Sequence, residues 1–159
     1  MLAASLVCCS RSGTPRDAAP VTDSEGELRG KVVVTGSEPS TSVMLVGNEG
    51  NVELVGDLEP EMRRLAGAGL LVRGSLQGSR PGQTLEVRDY EIMDIDGEVP
   101  STGVLRNQNG RLWLTGKDTL ELSGAPEALR AKDGAKVWIV GPRSGSRLTV
   151  QSYGIIKEH

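Results

Sequence analysis

The chain has 159 residues, a formal net charge of −3, 21 glycines and no phenylalanine. Its two cysteines, Cys8 and Cys9, are adjacent, and its one histidine is His159. Neighbouring cysteines do not bridge easily, so the sequence excludes a disulfide framework, and it equally excludes a Cys/His zinc site or a Cys–His nucleophile pair within one chain. Short apolar runs separated by glycine are typical of an all-β chain.

The first element in chain order is a short apolar run, residues 1–7, that leads into the two cysteines. It is similar to the end of a bacterial lipoprotein signal, because Leu6 stands three residues before Cys9, where that signal has an aliphatic side chain. The resemblance implies export to the periplasm or cell envelope, a lipid on Cys9 and a membrane anchor. Residues 10–27 are rich in Ser, Pro, Asp and Ala, which predicts a polar tether. We therefore expect residues 1–27 to be a truncated signal-like segment followed by a tether.

The remainder of the chain contains an internal repeat. Residues 85–92 and residues 148–155 both read L-x-V-x-x-Y-x-I. A repeat of this kind predicts a duplicated structural unit, which we expect to occupy residues 28–98 and residues 99–159. The first unit carries seven basic and twelve acidic side chains, net −5, and the second carries nine basic and five acidic, net +4. Opposite charge favours mutual attraction or two different partner surfaces.

The sequence pattern predicts the same order of elements in both units: three strands, a short helix and two further strands. Strands of the first unit are expected at residues 28–35, 43–46, 52–55, 70–76 and 84–95, with a helix over residues 57–66. Strands of the second unit are expected at residues 104–105, 111–115, 119–123, 137–140 and 147–156, with a helix that begins near Pro126. Proline in the first turn and glycine after the last turn mark both helices. The three-residue step from Val87 to Tyr90 predicts a β-bulge.

This order of elements resembles the OB-fold, a small five-stranded barrel. The resemblance implies an all-β fold with two short helices, built as two tandem five-stranded OB-like barrels. It implies a fold more than an activity, because one fold hosts many functions.

The OB-fold resemblance also implies a ligand face on the outside of strands two and three. Alternation along the strands points Met44 and Glu53 outward in the first unit, and Trp113 and Glu121 outward in the second. Each face has an acid at its centre, which disfavours single-stranded nucleic acid, since such a surface needs aromatic rings and cations. We take Met44, Trp113 and Trp138 as candidate interaction residues. The tryptophans could instead cover a seam between the repeats or lie under a helix.

No catalytic or cofactor signature is present, since the sequence contains no GxSxG, HExxH, P-loop or Rossmann pattern. The acidic residues 94–98 surround a glycine, but they lack the rest of a calcium loop and predict a solvated turn. We therefore expect no catalytic residue, no cofactor and no metal.

We consequently expect this protein to act by holding a position in a complex, and not by catalysis. We expect a non-catalytic, membrane-tethered accessory or scaffold subunit that docks on an envelope or membrane protein complex, such as a respiratory, photosynthetic, transport or assembly machine. The expected partners are a protein of that complex and, through the N-terminus, the membrane. The alternative is an OB-type protein that binds oligosaccharide or nucleic acid on its basic second unit. A flat apolar face around Trp113 would favour a protein partner, and a grooved basic face would favour a polyanion.

Overall fold

A closed barrel of five strands is formed by the first half of the chain. The computed structural model describes residues 24–159. The elements of this barrel are β1 (Ser24–Ser37), β2 (Ser40–Gly47), β3 (Gly50–Val55), α1 (Glu59–Arg64), β4 (Gly69–Gln77) and β5 (Thr84–Asp94). The strands pair in the order β1-β2-β3-β5-β4, and β4 pairs back on β1. β3 and β5 are parallel, and the other pairs of this barrel are antiparallel. The predicted all-β, OB-like fold is confirmed.

The long strand β1 closes this barrel because two neighbours share it. Its first half, from Ser24 to Lys31, pairs with β4, and its second half pairs with β2. At the change of partner, a Cβ on Gly30 would lie 2.6 Å from the carbonyl oxygen of Val46, so only glycine lets the strands approach this closely. Residues 24–27, which we assigned to the tether, are therefore paired strand and not linker.

Alternate side chains of these strands fill the first barrel. Val43, Leu45, Val52 and Leu54 are each at most 2% exposed, as the alternation predicted. Helix α1 lies over one end of the barrel and buries Met62 completely. Full burial of one such side chain contributes about 1.5–3 kcal/mol relative to its exposure.

The second half of the chain repeats this arrangement with more interruptions. Its elements are β6 (Ser101–Gln108), β7 (Arg111–Gly116), β8 (Thr119–Ser123), α2 (Glu127–Arg130), β9 (Lys136–Val140), β10 (Arg143–Ser144), β11 (Arg147–Thr149) and β12 (Ser152–Lys157). The strands are hydrogen-bonded in the order β10-β11-β8-β7-β6-β9-β12. This half thus has seven strands where five were predicted. The difference arises from a short hairpin, β10–β11, and from a break in the predicted fifth strand.

That break lies between β11 and β12, where the chain passes from β8 to β9. The amide of Val150 donates to the carbonyl of Ser123 at 2.9 Å, and the amide of Gln151 donates to the carbonyl of Val140 at 3.0 Å. The two hydrogen bonds lead the chain from one side of the sheet to the other. β11 and β12 together occupy the place that β5 has in the first barrel.

The two halves share the same strand registers at the positions that the repeat matched. In the first barrel Leu54 pairs with Leu85, Leu70 with Ile92, and Val72 with Tyr90. In the second, the matched positions pair in the same way: Leu122 with Leu148, Val137 with Ile155, and Ile139 with Tyr153. The repeat in the sequence is therefore also a repeat in cross-strand pairing at these three positions.

The predicted irregularity before Tyr90 is confirmed as a shift of register in β5. Asp89 pairs with Arg73 but Val87 pairs with Gly74, so that Arg88 is the extra residue of a bulge. A Cβ on Gly74 would overlap the carbonyl of Glu86. In the second barrel the same point is the break before β12, where Gly141 allows an equally close approach of the Thr149 carbonyl.

The last strand contributes to both cores. Neighbouring side chains of a strand point to opposite sides, and the register of β12 shifts by one residue between Ile155 and Lys157. Ile155 packs against the core of the second barrel, whereas Ile156 is 1% exposed within the core of the first. The two barrels are thus joined by buried apolar contact as well as by the linker.

The predicted lipid attachment at Cys9 and the exported, membrane-anchored location fall outside the described residues and stay predictions. Within residues 24–159, the helices are too short or too polar to cross a bilayer.

Candidate ligand-binding face

Four side chains stand in one line across the outside of the second barrel. Arg106 on β6 pairs with Trp113 on β7, Trp113 pairs with Glu121 on β8, and Glu121 pairs with Arg147 on β11. We call these four residues the outer-face row. Their sequence neighbours Leu105, Leu112, Leu114, Leu120, Leu122 and Leu148 fill the core, at most 5% exposed. Because side chains alternate along a strand, the row must face outward.

The charge of this face is positive, although an acid lies near its centre. Glu121 Oε1 is 3.5 Å from Arg111 Nη1, and Glu121 Oε2 is 3.4 Å from Arg147 Nη2. Together with Arg106, these arginines outnumber the acid by three to one. The central acid, which we expected to disfavour a polyanion, is thus offset by two arginines on this face.

One end of the face is bounded by the tight β6–β7 turn. Asn109 and Gly110 have φ of 53° and 75°, the left-handed pair that a two-residue hairpin turn needs and that Asn-Gly favours. Beside this turn lies an open cleft of about 420 Å³ lined by Gln108, Asn109, Arg111 and Trp113. The face is therefore grooved and polar rather than flat and apolar.

The other end of the face is bounded by the β10–β11 hairpin. The amide of Glu121 donates to the carbonyl of Ser146 at 2.8 Å, which ties this hairpin to β8. Arg143 donates to the carbonyl of Gly145 at 3.0 Å and to Asp118 Oδ2 at 2.8 Å. The two loops thus bracket β7 and β8 along the strand direction, where OB-type barrels hold extended ligands.

The corresponding line across the first barrel has a different chemistry. It runs from Val33 through Met44 and Glu53 to Thr84, in the same cross-strand register. Met44 does point outward, as predicted, but no cation and no aromatic ring accompanies it in this line. Of the two equivalent faces in the described part of the chain, the second is therefore the one equipped for an anionic or aromatic ligand.

Trp138, the third candidate interaction residue, lies in the seam between the barrels. It is half-buried against the first barrel's core and pairs across β12 with Gly154. A Cβ on Gly154 would overlap the indole, so the ring lies close over that strand. This position agrees with the alternative in which Trp138 covers the seam, and the ring is engaged within the molecule.

A polar cluster in the same seam was not foreseen from the sequence. Glu61 on α1 is 6% exposed. The Tyr90 hydroxyl donates to Glu61 Oε2 at 2.6 Å, and the Lys136 ammonium donates to that oxygen and to the Tyr90 hydroxyl, each at 2.9 Å. Lys157 lies 3.6 Å from Glu61 Oε1. The sequence offered one signal, a tyrosine whose hydroxyl needs a partner, but nothing that named Glu61.

These contacts shift the pKa values of the cluster in opposite directions. Burial raises the pKa of the Glu61 carboxyl, but hydrogen bonds from Tyr90 and Lys136 and the charges of Lys136 and Lys157 outweigh it, so the pKa falls below its usual range. Burial, together with the hydrogen bond to Glu61, raises the pKa of the Tyr90 hydroxyl far above its usual range. The cluster is thus a charged clamp between the barrels, with its tyrosine kept neutral.

The acidic residues after β5 form a turn. Asp96 and Gly97 have φ of 51° and 85°, and the amide of Gly97 donates to Asp94 Oδ1 at 3.2 Å. Over residues 24–159 no three His, Cys, Asp or Glu side chains come together as metal ligands would.

Comparison with known proteins adds little to this geometry. No family model matches the chain, and no curated protein matches it. Among solved structures the chain is similar to the tetrameric p202 HIN2, with 9% identity over 84% of this chain and 96% of that chain, and a TM-score of 0.29. A likeness of this size carries no argument for a particular activity.

The geometry of the second outer face corrects the main functional prediction. The face around Trp113 is grooved and basic, which is the feature expected of an OB-type binding protein, so the prediction of a membrane-tethered scaffold subunit is wrong and its alternative is favoured.

Proposed function

We propose that this protein binds single-stranded nucleic acid on the outer-face row of its second barrel. The observation that carries the proposal is the position of Trp113, between Arg106 and a carboxylate held by two further arginines, on the face that OB-type barrels use for ligands.

Trp113 supplies a surface on which a base can stack. Its ring is half-buried, which fixes its orientation while one side remains open to the cleft beside the β6–β7 turn. Stacking of a base on an aromatic side chain contributes about 1–3 kcal/mol and tolerates any base, because every base has a π-face.

The arginines around this ring supply contacts for phosphate. The side chains of Arg111 and Arg147 are 67% and 63% exposed, and Arg106 is exposed on the opposite side of Trp113. A guanidinium group matches the geometry of a phosphate with two parallel hydrogen bonds. A strand that crosses the row would therefore place a base on the ring and a phosphate on either side of it.

Charge favours nucleic acid over a neutral oligosaccharide on this face. Residues 99–159 carry a net charge of +4, whereas residues 28–98 carry −5. A neutral sugar chain would gain no charge attraction from three arginines, while a polyanion releases bound counterions when the arginines replace them.

Binding of a labelled oligothymidylate of about 12 nucleotides, measured by fluorescence anisotropy, tests the proposal. We expect affinity to fall with salt by a log–log slope of about −0.7 for each phosphate contacted, so about −2 for three arginines. Trp113→Ala should weaken binding by about 5- to 150-fold, through the loss of one stacked base.

The first barrel provides a matched control for this measurement. Met44→Ala alters the equivalent outward position and should leave the affinity unchanged. If Trp113→Ala and Met44→Ala weaken binding equally, the assignment to the second face is wrong. If a neutral oligosaccharide binds and the oligonucleotide does not, the proposal of a nucleic-acid ligand is wrong.

A further inference from the structure

We infer, on the basis of the proposed function, that Glu121 and the arginines that hold it make this face select guanine among the bases that stack on Trp113. Three observations lead to this assignment: the register of Glu121, the state of its two oxygens, and the donors on the edge of each base.

The register places the carboxylate beside the stacking ring. Glu121 and Trp113 are direct cross-strand partners on β7 and β8, and both point outward. Side chains in that relation have Cβ atoms about 4.5–5.5 Å apart. A base stacked on the indole therefore brings one edge to the Glu121 carboxylate.

The two oxygens of Glu121 keep the capacity to accept further hydrogen bonds. Arg111 approaches one oxygen at 3.5 Å and Arg147 approaches the other at 3.4 Å, so each oxygen has one cationic neighbour. Charge-assisted hydrogen bonds are usually about 2.7–2.9 Å long, and each carboxylate oxygen can accept two. The side chain is 22% exposed, so its free positions are open to a ligand.

Guanine is the base whose edge complements this arrangement. Its N1–H and N2 amino group are adjacent donors that match the two oxygens of one carboxylate, and its O6 lies next to them as an acceptor for a guanidinium group. Thymine presents a single N–H between two carbonyl groups, and adenine and cytosine each present one amino group beside an acceptor nitrogen. With these three bases, one carboxylate oxygen would face another acceptor.

The first barrel has a glutamate at the equivalent position, but with different cross-strand neighbours. Glu53 occupies the position of Glu121, but its cross-strand partners are Met44 and Thr84. Glu53→Gln is thus a matched control for Glu121→Gln, since both remove one negative charge from the same place in the same fold.

Competition between oligonucleotides on the full chain tests this inference. The probes are oligothymidylate and three variants in which one central base is guanine, hypoxanthine or cytosine. We expect the guanine probe to bind at least about fivefold more tightly than oligothymidylate, in line with the discrimination that one paired contact gives. The hypoxanthine probe, which lacks the N2 amino group, should fall between them.

The variants separate this inference from the proposed function. In Glu121→Gln, the ratio of the affinities for the guanine probe and for oligothymidylate should fall close to one. Oligothymidylate itself should bind as well as before or better, because a negative charge is lost. Glu53→Gln should keep the preference. Equal binding of all four probes to the unaltered protein would overturn the guanine assignment and leave the proposed function standing, as would a preference that survives Glu121→Gln. Failure of every probe to bind would overturn both.

Discussion

Two glutamates of this protein have similar partners and different surroundings. Glu61 and Glu121 each lie near two cationic side chains. Glu61 is 6% exposed, and its Oε2 is held at 2.6–2.9 Å by Tyr90 and Lys136, so this carboxylate is enclosed within the molecule. The side chain of Glu121 is 22% exposed with contacts of 3.4–3.5 Å, so capacity remains for a ligand. The buried Glu61 therefore has a structural role, whereas the more exposed Glu121 can contact a ligand.

The lowered pKa of Glu61 predicts how stability depends on pH. A carboxyl whose pKa is lower in the folded state contributes stability above its unfolded pKa of about 4.3, and that contribution is lost as pH falls through the folded pKa. We expect the native protein to exceed Glu61→Gln in free energy of unfolding near neutral pH, and the difference to narrow as the pH falls below about 4.3.

Denaturant unfolding at a series of pH values measures this difference. Tyr90→Phe provides the control, because it keeps the ring and removes one hydrogen bond that lowers the pKa of Glu61. It should reduce the pH-dependent part of the stability. A difference between the native protein and Glu61→Gln that stays constant across the series would contradict the role of Glu61 as a charged clamp.

At the scale of the elements, a glycine in β4 and a glycine directly after β9 allow a close approach between strands at matched points of the two halves. Gly74 in the first barrel and Gly141 in the second each face a carbonyl of the fifth strand at a distance that no side chain tolerates. In the first barrel the fifth strand bulges at this place, and in the second it breaks. The same close approach between strands is thus accommodated by a bulge in the first barrel and by a break in the second.

Gly141→Ala should open the second barrel at this point. The added Cβ would overlap the Thr149 carbonyl, so the backbone must move and weaken the hydrogen bonds that link β11 to β8. We expect a loss of stability of about 1–3 kcal/mol, typical of overpacking. Thermal unfolding measures it, with Ser144→Ala as an exposed neighbouring control. Equal melting temperatures for the two variants would show that the close approach is not a constraint.

The positions of the strands along the chain and their inward faces were predictable because they depend on local spacing. The pattern of Leu85, Val87, Tyr90 and Ile92 determines which side chains face inward, and its copy near the C-terminus determines the same in the second barrel. The outward position of Trp113 followed from the same alternation. The division of the predicted last strand into β11 and β12 did not follow from the alternation, since it depends on close approaches between strands that are distant in sequence.

The site was predictable only in part, for a related reason. The sequence indicated Trp113 and Glu121 as outward neighbours. That Arg111 and Arg147 neutralise Glu121 depends on which strands lie side by side, because Arg147 reaches the acid from β11 across the parallel pair. Without this pairing the acid appeared to exclude a polyanion, and the resulting functional prediction was wrong.

At the scale of the whole molecule, the barrels are one packed unit with two unlike faces. Ile156 from the last strand is buried in the first barrel's core, and Trp138 covers the seam beside it. The Glu61 cluster adds charged contacts across the same seam. The acidic first barrel thereby supports the basic second barrel while its own outer face carries no arginine in the equivalent line.

Ile156→Ala should consequently destabilise the first barrel, although the residue lies in the last strand. Truncation of a buried isoleucine costs about 2–5 kcal/mol. We expect a lower denaturant midpoint and faster hydrogen exchange at first-barrel amides such as Val32, which donates to the carbonyl of Ala68 at 2.9 Å. Gln151→Ala, an exposed change near the start of the same strand, is the control. Unchanged exchange at Val32 would mean that the barrels fold independently.

The central claim, that the outer face of the second barrel binds single-stranded nucleic acid, is tested most directly by mapping the footprint of an oligonucleotide on ¹⁵N-labelled protein by NMR. The account predicts that oligothymidylate shifts the amide signals and the Trp113 indole signal within residues 106–123 and 143–149, and leaves the Trp138 indole and the β2–β3 face unchanged. Shifts centred on Met44 and Glu53, or no shifts at a concentration well above the measured Kd, would contradict it.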